Sequence, residues 1–112
     1  MGEPLLHTLT LDFVSADGSV SDRQVIRFGI EQTTSEFTPE GHLLFRINGR
    51  PVLVRGGGWA FDMLLRPNLQ KRADEFRYVK EMGLNTIRLE GKLEDDEFFE
   101  LADREGIHLM AG

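Results

Sequence analysis

The hydrophobic period of the chain switches near residue 68, from alternation at every second residue to apolar residues spaced three and four apart, and few folds accommodate both within 112 residues. Before the switch the sequence reads as strands. "LLHTLTLDFV" alternates, "SADGSVSD" supplies a turn centred on Asp17-Gly18, and "RQVIRFGIEQTTSEF" alternates again, so the two runs are expected to form a hairpin. A second hairpin is expected in "HLLFRINGRPVLVRG", turning at Asn48-Gly49. Its second arm, "PVLV", is an apolar run suited to a strand buried on both faces.

After the switch, "NLQKRADEFRYVKEMGLN" predicts a helix capped by Asn68, with Leu69, Ala73, Phe76, Val79 and Met82 on one face and Gly83 as the stop. "NTIRLEG" follows as a short strand. Asp95 or Asp96 then opens a second helix carrying Phe98, Leu101 and Ala102, which Gly106 ends before a third strand, "IHLMAG". Strands that alternate with single helices build a parallel sheet with right-handed crossovers, here three strands beginning with "PVLV". Three such strands cannot close a barrel, and their outer edges would leave backbone groups unpaired. The chain is therefore expected to be a piece of a longer (β/α) array.

Charge narrows the partners. The net charge is −6, with 19 acidic against 13 basic residues, and the basic residues are dispersed, which argues against nucleic acid and against an anionic membrane surface. No run of about 18 apolar residues exists to span a bilayer, and the N-terminus lacks the basic and apolar regions of a signal peptide. Cysteine is absent, and His7, His42 and His108 lie far apart without metal-ligand spacing, so neither a disulfide framework, a metal nor a cofactor is expected. The acidic run "EDDE" at 94 to 97 reads as charge favoured at a helix N-terminus and not as a metal site.

Chemistry in a (β/α) array sits where the strands end. The residues there are Gly56-Gly57-Gly58-Trp59-Ala60-Phe61-Asp62, then Arg88-Leu89-Glu90-Gly91, then Ala111-Gly112, which puts Trp59, Asp62, Arg88 and Glu90 on one rim. An aromatic face, two carboxylates and a guanidinium suit a sugar, whose C–H face stacks on indole while its polar groups take directional partners. Each residue has a structural reading beside this one. The glycines are either a flexible turn or a site of close backbone approach, and they lack the following helix of a phosphate loop. Trp59 is either core or a stacking face, and Asp62 either caps a short turn or lines a pocket. Arg88 and Glu90, two apart on one strand face, form either an internal ion pair or part of a binding site.

"FRINGRPVLVRGGGW", "EFRYVKEMGLNTIRLEG" and "DDEFFELADREGIHLMAG" together resemble the junction between the immunoglobulin-like sandwich and the catalytic barrel of glycoside hydrolase family 2. That family includes β-galactosidases, β-glucuronidases, β-mannosidases and exo-β-D-glucosaminidases. "RGGGWAFDMLLR" and "RLEG" look most like the exo-β-D-glucosaminidase branch. Galactosidase-like members usually carry an asparagine where Gly58 stands and a histidine-bearing segment after "NT-R", and both are missing. The resemblance implies a mixed α/β fold, with residues 1–40 as the C-terminal strands of an immunoglobulin-like sandwich. Residues 41–112 would be the first three strands and two helices of a (β/α)8, or TIM, barrel. It places Arg88 in the subsite for the terminal sugar and Glu90 against a sugar ammonium, with Trp59 and Asp62 at the pocket mouth.

By the same resemblance the parent is a secreted or periplasmic retaining hydrolase of terminal β-linked sugars, β-glucosaminides before β-mannosides. Its two catalytic carboxylates, about 5 Å apart, belong to later barrel strands beyond Gly112, so the chain alone is expected to be inactive. The alternative is a non-enzymatic module that binds sugar or itself. On either reading the isolated chain is expected to self-associate.

Overall fold

The computed structural model describes residues 3–66 and 68–112. It is a mixed α/β structure with three small sheets. Strands β1 (Leu6–Val14) and β2 (Val20–Gly29) form an antiparallel ribbon closed by the expected turn, where Asp17 accepts from the backbone and hydroxyl of Ser19. Strands β3 (Thr33–Phe37), β4 (Leu43–Ile47) and β5 (Arg50–Val52) make a second antiparallel sheet in that order. The third sheet is parallel: β6 (Gly56–Trp59), β7 (Thr86–Leu89) and β8 (His108–Ala111), joined by helices α1 (Leu69–Glu81) and α2 (Asp96–Glu105).

Two strand assignments change. "RQVIRFGIEQTTSEF" is not one strand but two, in different sheets, interrupted at residues 30–32. Asn48 causes the break: its side chain accepts from the Gln32 N–H at 2.9 Å and its own N–H donates to the Gln32 carbonyl, also at 2.9 Å, which starts a new ladder at Thr33. "PVLV" is not the first parallel strand. Asn48 and Gly49, at φ 49° and 78°, form a two-residue turn of the I′ kind that folds Arg50 back beside Ile47, so β5 pairs antiparallel with β4. Nor is the run buried on both faces, for Leu53 is 76% exposed. The parallel sheet begins four residues later than "PVLV" ends its pairing, at Gly56.

The junction is held by Asn85. Its side chain accepts from Arg55 N–H and donates to the Leu53 carbonyl, while the Arg55 carbonyl takes the N–H groups of Asn85 and Thr86. Both helices begin where the sequence predicts, with Asn68 accepting from Lys71 N–H at 3.0 Å and Asp95 from Phe98 N–H at 3.1 Å.

Every buried residue among those described lies at Phe76 or beyond. Phe76 and Val79 of α1, Ile87 and Leu89 of β7, Phe98, Leu101 and Ala102 of α2, and Ile107 form one core between the helices and one face of the parallel sheet. The predicted α1 face is thus buried only at its centre, since Leu69 and Met82 are exposed. The ribbon differs. Cross-strand partners share a face, so Leu9, Leu11, Phe13, Ile26 and Phe28 form one apolar surface, and all five are exposed.

Candidate functional site

Register decides which strand-end residues converge. In the parallel sheet Gly58 pairs with Arg88 and Trp59 with Leu89, and side chains alternate between faces. Leu89 and Ile87 point into the helix-covered core, so Trp59 follows them, while Arg88 and Glu90 project from the opposite, open face. The four predicted residues therefore divide into two pairs.

Arg88 and Glu90 are exposed and diverge. A Cβ built on Gly58 would lie 2.6 Å from the Glu90 Oε1, so this carboxylate lies across β6. A Cβ on Gly112 would lie 2.9 Å from the Arg88 Nε, so that guanidinium leans the other way, over the end of β8. Neither side chain has an ion pair or hydrogen bond among the described residues. The internal pair, one of the two local readings, is not formed. What stands on the open face is an unpaired carboxylate and an unpaired guanidinium at the C-terminal end of the central parallel strand.

Trp59 and Asp62 belong to a second place, a cleft of about 450 Å³ beside α1 that is also lined by Phe61, Lys71, Arg72 and Glu94. The indole is half-buried against the core, tilted on Phe76 at 6.0 Å and on Phe98 at 5.2 Å between ring centroids. Asp62 caps its own turn by accepting from Leu64 N–H at 2.8 Å and pairs with Lys71 at 3.1 Å. The Leu64 N–H first, and Lys71 second, hold the Asp62 carboxyl below the usual carboxylate range.

The strongest ion-pair network in this cleft was not legible as such. Arg72 donates to both oxygens of Asp95, at 2.7 and 2.9 Å, and to Glu94 at 3.1 Å, while the other Glu94 oxygen accepts from the Trp59 indole N–H at 3.3 Å. Burial pushes the Asp95 carboxyl up, but the Arg72 guanidinium and the Phe98 N–H outweigh it and leave it lowered. The available signal was Arg72 itself, an arginine one turn before Phe76 on the apolar face of α1, a position that calls for a carboxylate partner. Of the acidic run, Asp96 and Glu97 occupy the first turn of α2 as expected, Asp95 is its cap, and Glu94 is turned to Arg72. Among the described residues no group of three or more His, Cys, Asp or Glu is arranged to hold a metal ion, and no helix is long and apolar enough to cross a membrane.

No family model matches the chain. It is 43% identical over 112 residues to an exo-β-D-glucosaminidase of Streptomyces avermitilis, an alignment that covers 100% of this chain and 12% of that protein. Among solved structures it superposes on the exo-chitosanase CsxA of Amycolatopsis orientalis with a TM-score of 0.89 at 39% identity, covering 99% of this chain and 13% of that one. A β-glucuronidase of Parabacteroides merdae superposes with a TM-score of 0.78 at 28% identity, covering 95% of this chain and 13% of that one. The chain spans 10–12% of the length of the first two curated relatives it matches.

Proposed function

We propose, since this chain corresponds to a segment of glycoside hydrolase family 2 near the exo-β-D-glucosaminidase branch, that it contributes the terminal-sugar subsite of a retaining hydrolase of terminal β-linked sugars. β-Glucosaminides are the favoured substrates and β-mannosides the next. Residues 1–40 are assigned to the closing strands of an immunoglobulin-like sandwich. Residues 41–112 are assigned to the first three strands and two helices of a (β/α)8 barrel, whose parallel part starts at Gly56. The pair of carboxylates that would perform the displacement, one as acid/base and one as nucleophile, is assigned beyond Gly112.

The observation that carries this reading is the unpaired Arg88 and Glu90 on the open sheet face. In a (β/α)8 barrel that face is the interior and its C-terminal end is where substrates bind. An exposed carboxylate without a partner suits a sugar ammonium, and a guanidinium suits hydroxyl oxygens. Trp59 and Asp62, on the helix-covered side of the sheet, line the separate cleft beside α1 and are not assigned to this subsite. In a protein that contains this segment, Glu90→Gln is expected to weaken binding of an amino sugar by about 1.5–3 kcal/mol, the scale of a charge-assisted hydrogen bond. Binding of the neutral sugar should change little. An unchanged preference for the amino sugar would remove Glu90 from the role.

A second reading, a non-enzymatic module that binds sugar or itself, is favoured by the exposed apolar face of the β1–β2 ribbon. The same face, with the outer edges of β6 and β8, supports self-association of the isolated chain. Sedimentation of the 112-residue chain across a hundredfold range of about 1–100 μM should give a mass that rises with concentration. A single monomeric species throughout would oppose it.

A further inference from the structure

The geometry points to Gly58 as the positioning residue for Glu90, and so as a determinant of amino-sugar selectivity: the missing side chain at 58 is what lets the carboxylate lie across β6. This rests on the assignment of Glu90 to the sugar ammonium. The three consecutive glycines are not equivalent. A Cβ on Gly56 would run into the Thr86 backbone carbonyl, which cannot yield without opening the parallel pair. A Cβ on Gly57 meets nothing within 4 Å. A Cβ on Gly58 meets only the Glu90 side chain among its three nearest atoms, at 2.6 Å from Oε1, 2.9 Å from Cδ and 3.4 Å from Oε2.

The last contact differs in kind from the first. Gly58 does not have a positive φ, so an alanine there strains no backbone, and what must move is the far end of a flexible side chain. The fold therefore tolerates a methyl group at 58 while the carboxylate does not. To reach an ordinary contact of 3.4 Å or more, Oε1 has to retreat from β6 by about 1 Å, a displacement large enough to spoil a directional ion pair.

The test compares G58A, G57A and E90Q with wild type in the full chain. Crystal structures of the two glycine variants should show the Glu90 carboxylate displaced from β6 by about 1 Å in G58A and in place in G57A. Titrations with D-glucosamine and D-glucose, followed through the backbone amide resonance of residue 90, supply the second readout. Wild type and G57A are expected to prefer the amino sugar, G58A to lose that preference by about tenfold and E90Q by about tenfold or more. If E90Q loses the preference and G58A keeps it, or if the carboxylate has not moved in G58A, the role of Gly58 is overturned while the Glu90 assignment stands. If E90Q behaves as wild type, the Glu90 assignment fails and takes the selectivity role of Gly58 with it.

Discussion

Replacing Phe98 by alanine is expected to cost about 3–5 kcal/mol, enough to abolish cooperative folding of the parallel unit at room temperature. The side chain is 0% exposed and sits at the centre of the aromatic cluster, 5.0 Å from Phe76 edge to face and 5.2 Å from Trp59. Truncation removes the ring contacts to Phe76 of α1 and Trp59 of β6 and leaves a cavity between packed elements, so collapse is hindered. Among the described residues, the core that must absorb this loss consists of eight buried hydrophobic side chains. Trp59 is the only tryptophan and touches the cavity, so denaturant unfolding followed by its fluorescence reports the site directly. Phe13→Ala, at a ring 68% exposed on the ribbon, should shift stability by about 0.5 kcal/mol or less. Equal losses from the two substitutions would contradict the assignment of the core.

Local chemistry accounts for what could be read in the sequence. The caps Asn68 and Asp95, the Asp17-Gly18 and Asn48-Gly49 turns and the buried residues of α2 each depend on neighbours within four positions, and each stands where the pattern puts it. Strand β6 was not legible because Gly56-Gly57-Gly58 has no strand propensity of its own. Its conformation is imposed from β7, whose Thr86 comes too close for any side chain at 56. The same gap hid the division of the site. Proximity to a strand end suggested one rim, but the face each residue takes follows from register, and Trp59 paired with Leu89 must point away from Glu90. Arg72 and Glu94 are 22 residues apart, and only the packing of α1 against the β7–α2 loop brings them together.

Arg72→Ala is expected to destabilise the chain by about 3 kcal/mol, the lower end of the range for removing one partner of a buried pair. Arg72 is 13% exposed and Glu94 11%, so without the guanidinium the Glu94 carboxylate keeps only the indole N–H at 3.3 Å. Asp95 is half-exposed and contributes less, because water replaces the lost donor there. Its carboxyl is lowered in the fold, so its contribution is present above the unfolded carboxylate range and fades as pH falls through the folded value. The gap between wild type and R72A should therefore narrow from pH 7 to about pH 3. A double-mutant cycle with Glu94→Gln separates the pair from lost packing of the arginine stem: once Arg72 is gone, neutralising Glu94 should no longer cost stability and should recover part of it. Additive losses in that cycle would mean that the Arg72–Glu94 contact carries no coupling.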